Sequence, residues 1–487
     1  MKNFSRALVW LTLSEIIYNI SGYVIHAALG RTLGPEGYGR YGLVVTMTTM
    51  IIILIGNGIP TAMSKYLSEV FESAPDRIQG IKRKTILLQA AIMGGVTVLF
   101  FLGSPLLSAA LGDPSLTPLF RLSSFIIPSF AAASFYFYYY TGLHFFRLQA
   151  ALKTLRSFSR VVFIVWFAYL FGVEGAVSGY IVAPLLVFLV AWIADRISTG
   201  NFFPKMRSAD SPDFPTKKLV SYAWPLTLFL LFYELVSTID LYLIKAMLGS
   251  DHLAGLYNAA ITVGRIPYYL FYALTIILLP AVSKSVSDRS GEATKALVAK
   301  AMRLLALVLF PVVTLLALYA PQVLLLFYGE KYADAATAMR IFAVGVGFLT
   351  VFYVLASAVN GAGLVKIPMY LSLGGLAFSL ILNVIFIPRY GIEGAAFATT
   401  ITSFILMLAM LVSVERHFSS RLSGRLWFVS TFSAVLIIAL SFVLPGGRIS
   451  FLVSGAILFA LYFLPPGLFG VLTDDDLAPF RKLLPKG

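Results

Sequence analysis

Apolar runs of about 20 residues recur from one end of this chain to the other, the length an α-helix needs to cross the hydrocarbon of a bilayer. A water-soluble fold could not hide so much apolar surface. Hydrophobic residues make up 59% of the 487 positions, charged residues only 12%, and the mean hydropathy is +0.88. The expected fold is an all-α polytopic membrane protein with about 14 transmembrane helices. Among the expected spans are 8–29, 41–60, 154–172, 176–194, 219–247, 255–280, 366–387 and 392–413. Cysteine is absent, which excludes disulfides and thiolate metal sites.

A formal charge of +15 could signal a nucleic-acid partner, but its distribution reads as membrane topology. Lys82, Arg83 and Lys84, then Arg147, Lys153, Arg156 and Arg160, then Lys217 and Lys218, gather at alternate connections. Lys295, Lys300 and Arg303, and later Arg416, Arg421 and Arg425, continue the pattern. The positive-inside rule puts these connections and both termini in the cytoplasm of a cell-membrane protein. Gly34–Arg40, Asp113, Asp251, Glu330, Arg389 and Arg448 then face outward. The first apolar run, preceded by Lys2 and Arg6 and holding Ala27-Ala28, imitates a secretory leader. Its Glu15 has a counterpart far along the chain, so it reads as part of the fold.

That counterpart belongs to an internal repeat. Gly172-Val-Glu-Gly-Ala176 recurs as Gly391-Ile-Glu-Gly-Ala395, 219 residues further on. The same displacement relates Glu15 to Glu234, Arg121 to Arg340 and Gly142 to Gly361. Several matches at one displacement point to a duplication. An even number of helices separates equivalent positions, so the halves cross in the same direction. The expected organisation is a first six-helix lobe at 1–194 and a cytoplasmic linker at 195–218. A second six-helix lobe at 219–413, an extra two-helix segment at 414–473 and a cytoplasmic tail at 474–487 follow. The lobes would form two parallel pseudo-repeats around a central cavity.

Charged groups inside spans are costly, about 2.5–3.5 kcal/mol each on insertion scales, and therefore face protein or water. Glu15, Asn19, Gly22 and His26 share one helical stripe. Glu234 and Asp240 lie on the seventh span, with Lys245 as a possible local partner for Asp240. Asn258, Thr262, Arg265, Tyr269 and Tyr272 form a second polar stripe. A buried guanidinium stays charged and holds phosphate or carboxylate with fixed donors, which makes Arg265 the leading candidate for an anionic substrate or a gate. Its alternative is a structural pair with Glu15 or Glu234. Asn19, Asn258 and Tyr269 are accompanying binding candidates, and Glu15, Glu234 and Asp240 are candidates for cation coupling. The aromatic run Phe135–Tyr140 reads as an interfacial anchor. Gly34-Pro-Glu-Gly-Tyr-Gly39 reads as tight turns and lacks the lysine of a phosphate loop. The histidines form no metal pattern, and no nucleophile–base pair suggests an enzyme.

Leu33-Gly34-Pro35-Glu36-Gly37-Tyr38-Gly39-Arg40-Tyr41, continuing to Pro60 and Ser64-Lys65, together with Gly172–Ala176 and Gly391–Ala395, resembles a known family. It is similar to prokaryotic polysaccharide transporters of the multidrug/oligosaccharidyl-lipid/polysaccharide exporter superfamily, the O-antigen and lipid-linked oligosaccharide flippases. The resemblance implies two six-helix lobes, alternating access, and a polyprenyl-linked glycan whose tail stays in the bilayer. It implies no cofactor, leaves Na+ or H+ coupling open, and allows polysaccharide-assembly proteins as partners but no nucleic acid. Basic cavity residues commonly hold the anionic substrate in such flippases, and few basic residues lie inside the expected spans here. A cation-coupled multidrug exporter of the same superfamily is the alternative, with a lipid-linked glycan polymerase or a non-transporting scaffold further off.

Overall fold

A backbone in hydrocarbon must satisfy its own hydrogen bonds, so each apolar segment is helical. The structure is a computed structural model. It describes residues 2–56, 58–71, 74–202, 227–420, 424–444, 446–447 and 450–472, and every regular element among them is helical. In order these are α1 Lys2–Gly56, α2 Gly58–Val70, α3 Ile78–Ala110, α4 Thr117–Ser124, α5 Ile126–Gly142 and α6 Phe146–Phe202. Next come α7 Thr227–Val236, α8 Ile239–Leu248, α9 Asp251–Gly264, α10 Ile266–Ser287, α11 Gly291–Leu304 and α12 Phe310–Leu318. The series ends with α13 Ala320–Tyr328, α14 Ala336–Gly361, α15 Lys366–Phe418, α16 Gly424–Ser441, α17 Ser450–Tyr462 and α18 Leu464–Leu468.

Nine helices among the described residues are long and apolar enough to cross a membrane, or ten if the bent pair α7–α8 is one span. The protein is therefore a helical multi-pass membrane protein. Expected spans 154–172 and 176–194 both fall within Phe146–Ile197, and 366–387 and 392–413 both fall within Lys366–Phe418. Each pair is joined without a loop, because one glycine makes the corner. Gly172 has φ 62°, ψ −138° and Gly391 has φ 57°, ψ −133°. Such angles are open to glycine and costly for other residues. The next glycine of each motif has a packing reason. A Cβ at Gly175 would stand 1.9 Å from the Phe167 carbonyl oxygen, and one at Gly394 2.3 Å from that of Phe386.

The expected turns at Gly34–Gly39 reduce to one. Gly34 (φ 67°, ψ 177°) breaks α1, and Pro35 follows inside the helix. Pro35 needs no N–H donor at the start of the new helical half, and its ring fixes a helical φ. His26 Nδ1 and the Tyr38 hydroxyl, 2.7 Å apart, hydrogen-bond across this break.

Two compact units divide the chain, one made of residues up to Glu234 with Leu241–Asn258, the other of Leu235–Asp240 with Ala259 onward. In the first, α1 lies along α6, and α5 fills the space between α6 and α2. Phe135, Tyr136, Tyr139 and Tyr140 are buried there with Met63, Leu67 and Val187, so this run is core rather than an interfacial anchor. The Tyr140 hydroxyl donates to the Ala191 carbonyl at 2.9 Å, which satisfies its one polar atom inside the core. Segment 241–258 also packs in this unit. A Cβ at Gly39 would stand 2.2 Å from the Asp251 carbonyl oxygen, and one at Gly255 1.8 Å from that of Pro35. The glycines of Leu33–Tyr41 therefore permit a close helix crossing.

In the second unit α14 is buried almost throughout, packed on α15 and α10. Helices α16 and α17 join α12 around Tyr319, Ile437, Phe451, Leu458 and Tyr462. The Tyr462 hydroxyl reaches the Ala306 carbonyl at 3.0 Å in the π-helical turn Leu305–Leu309. The linker from 203 to 218, the first residues of the expected seventh span (219–226) and the tail 474–487 lie outside the described residues.

Candidate anion-binding site

Helix α6 starts at Phe146, so Lys153, Arg156 and Arg160 all lie within it. Spacings of three and four residues put them on one face. That face meets α1, where Glu15, Tyr18, Ser21 and Gly22 are also three or four residues apart. Arg156 and Arg160 are each 8% exposed, and both belong to a helix apolar enough to span the membrane.

The three cations are satisfied differently. Arg160 is committed to the protein: Nε donates to Ser21 Oγ at 3.0 Å, a terminal nitrogen donates to the same oxygen at 2.7 Å, and the Tyr18 carbonyl accepts another bond. Gly22 makes room, since a Cβ there would be 3.2 Å from that guanidinium. Lys153 is paired with the Glu15 carboxylate. Arg156 donates no hydrogen bond to a described residue. It lies over the Phe130 ring at 4.1 Å, with Tyr18 at 5.3 Å and Phe137 at 5.6 Å. The Tyr18 ring also takes the Arg160 guanidinium at 3.8 Å and the Lys153 ammonium at 5.6 Å. Ring quadrupoles stabilise each cation by about 0.5–2 kcal/mol but leave the N–H donors available. Three positive charges face one carboxylate. The arrangement can receive an anion with planar donors.

The residues singled out from sequence fall in several places. Glu15 belongs to this cluster, and Asn19 follows Tyr18 on α1, half-buried. Glu234 is half-buried on α7. Beyond it the chain bends by 45° between α7 and α8. Arg265 serves that bend: its guanidinium donates to the Ser237 carbonyl at 3.0 Å and to Ser237 Oγ at 2.5 Å. It sits at the junction of α9 and α10, where its N–H donates to the Ile261 carbonyl at 3.1 Å and its carbonyl accepts from the Tyr269 N–H at 3.3 Å. Asn258 falls in the first unit, with its amide against Gly42, while Arg265 and Tyr269 fall in the second. Tyr269 is exposed beside Tyr268. Asp240 is fully buried and accepts from Thr399 Oγ1 at 2.8 Å. Lys245 turns from Asp240 to Asp113 at 2.7 Å and Asp251 at 2.6 Å. Asn383, also buried, donates to the Ser379 carbonyl and hydroxyl on α15. No group of three or more His, Asp or Glu side chains positioned for a metal occurs among the described residues.

A multi-pass helical protein with a cationic face buried inside one helical unit belongs among membrane transporters rather than soluble enzymes. The polysaccharide biosynthesis protein family matches residues 4–286, and the chain belongs to this family of the multidrug/oligosaccharidyl-lipid/polysaccharide exporter superfamily. The MatE family also matches residues 225–385. The uncharacterized membrane protein MJ1068 of Methanocaldococcus jannaschii is 22% identical, over 96% of this chain and 95% of its own. In fold, the chain is similar to the lipid II flippase MurJ in an inward closed conformation, with TM-score 0.74 at 14% identity over 95% of this chain and 98% of that one. An inward-facing multidrug resistance MATE family transporter gives TM-score 0.70 at 17% identity over 85% and 98%.

Proposed function

We propose that the protein is a flippase that carries a polyprenyl-linked oligosaccharide or polysaccharide precursor from the inner to the outer leaflet of the cell membrane. Both termini are cytoplasmic, and lobes 1–194 and 219–413 alternate access to a central cavity. Bilayer lipid holds the tail, and polysaccharide-assembly proteins receive the product. The observation that carries this reading is Arg156, a buried guanidinium with no hydrogen bond to a described residue, flanked by Lys153 and Arg160. It fits an anionic phosphate linker better than an organic cation, which three positive charges would repel. The fold also suits a multidrug exporter, but the sign of this cluster favours the flippase. Asp240, with Thr399 as donor, supports Na+ or H+ coupling in the second unit. Glu15 and Glu234, at equivalent repeat positions, would line the cavity.

The test is Arg156→Gln. Farnesyl diphosphate binding in detergent and transport of a fluorescent polyprenyl-linked oligosaccharide in proteoliposomes should each fall about 30-fold or more, the loss of a charge-assisted bond. Arg156→Lys should restore part of both, because charge survives while planar donors do not. Wild-type binding and transport by folded Arg156→Gln would sink the reading.

A further inference from the structure

The accessible edge of the cationic cluster is guarded by a carboxylate of the protein itself. Glu15 keeps 37% of its side chain accessible and Lys153 21%, whereas Arg156 and Arg160 lie deeper. An incoming anion therefore meets the Glu15–Lys153 pair before Arg156. Arg160 cannot be recruited cheaply, because its buried guanidinium would have to give up three hydrogen bonds to the Ser21 hydroxyl and the Tyr18 carbonyl. Lys153 can be recruited, because its partner Glu15 lies at the accessible edge of the cluster rather than in the packed interior. Lys153 and Arg156 are one helical turn apart, about 5–6 Å between Cβ atoms, a separation that one phosphate group can bridge.

Charge balance points the same way. With Glu15 in place the cluster holds three cations and one anion. With a phosphate on Lys153 and Arg156 and Glu15 retained nearby, two kinds of anion compete for one ammonium. We propose that Glu15 is a resident counterion: the substrate's anionic group displaces it from Lys153 on binding, and its return helps expel that group on the far side. This rests on reading the cluster as the anion site. Glu15 acts as a specificity and release residue, and needs neither a metal nor a proton for the exchange.

Without the competing carboxylate, ligand should bind tighter and leave more slowly. Glu15→Gln should bind farnesyl diphosphate roughly tenfold tighter, as removing one competing charge pair implies. Its transport turnover in proteoliposomes should fall, and raised salt should restore part of the rate. Glu15→Lys combined with Lys153→Glu keeps a pair in reversed order. It should hold the fold, by thermal unfolding, and return affinity to within a fewfold of wild type. Folded Glu15→Gln with unchanged or weaker binding overturns the counterion role, as does unchanged turnover. If Arg156→Gln also binds normally, the anion site itself fails. If Arg156→Gln loses binding while Glu15→Gln leaves it unchanged, the counterion role alone fails.

Discussion

Two regions of the molecule stand 219 residues apart in the sequence repeat and are charged differently. Glu15, Tyr18 and Ser21 on α1 precede Glu234, Ser237 and Asp240 by 219 residues, and Lys153, Arg156 and Arg160 on α6 precede Ser372, Gly375 and Ser379 on α15 by the same step. Around Tyr18 three cations face one carboxylate. Around Asp240 the carboxylate is buried and accepts from a threonine hydroxyl, the Arg265 guanidinium is held on Ser237, and the positions matching the three cations hold small residues. One repeated sequence frame carries different side-chain chemistry. The lesson is that a repeat fixes where helices turn, while the side chains on that frame decide which ion can enter.

The strongest way to break this contrast is to make the first region resemble the second. Ser21 stands where the repeat has Asp240, and its hydroxyl is 2.7 Å from the Arg160 guanidinium. Ser21→Asp should form an ion pair with Arg160 and neutralise the cluster from within. Farnesyl diphosphate binding is expected to drop at least about 100-fold, since a fixed internal anion outcompetes a dissolved one. Thermal unfolding should change little or rise, because the new charge has a partner. Retained binding would mean that the cluster's net charge does not govern anion entry.

A smaller effect tests what the two regions share. Gly175→Ala and Gly394→Ala each drive a methyl against a backbone carbonyl, that of Phe167 or Phe386, which cannot swing away as a side chain could. Both should lower unfolding stability by similar amounts, about 2–4 kcal/mol, a severe overpacking cost. If only one substitution destabilised the protein, the common frame would be weaker than the backbone angles indicate.

These contrasts show where sequence reading succeeds. The corners at Gly172 and Gly391 were legible as a repeated motif, because the motif is local and its glycines have local reasons. Apolar runs marked the all-helical multi-pass class, with nine or ten spans found among the described residues against about 14 expected. In sequence Arg156 and Arg160 read as topology signals, because charge clusters near span ends do; their packing against Tyr18 and Ser21 on α1 is a tertiary fact. Their 153–156–160 spacing, matched by 15–18–22 on α1, was the available clue. The aromatic wall from Phe130 and Phe137 on α5 comes from tertiary packing and had no such signal. Asp240's donor Thr399 is 159 residues away, and nothing in the sequence pairs them. Phe135–Tyr140 reads as interfacial in sequence because tyrosines often sit there, yet the run packs in a helical core where the Tyr140 hydroxyl bonds the Ala191 carbonyl.

A third charged group calibrates the comparison, because its balance runs the other way. Lys245 serves two carboxylates, Asp113 and Asp251, and Asp113 also accepts from the Ser115 amide at 3.0 Å and hydroxyl at 2.6 Å. Arg40 donates to the same Ser115 hydroxyl at 2.8 Å, so the connection before α4 is tied to α1 and α8. Burial pushes the Asp113 carboxyl up, but the hydrogen bonds from Lys245 and Ser115 and the Lys245 charge together outweigh it and hold it below the ordinary carboxylate range. A carboxyl lowered in the folded state contributes stability above its unfolded value, and that contribution is lost as pH falls through the folded value. Acidification below the ordinary carboxylate range should therefore weaken the wild type more than Asp113→Asn. The difference should stay under about 1 kcal/mol, because the pair is partly solvated and Lys245 keeps Asp251. Farnesyl diphosphate affinity at neutral pH should be the same in both proteins. Parallel unfolding curves from neutral to acidic pH, with binding measured alongside, decide the matter. A binding defect in Asp113→Asn would show that this balanced node takes part in anion handling, and that an excess of cations does not by itself mark the functional region.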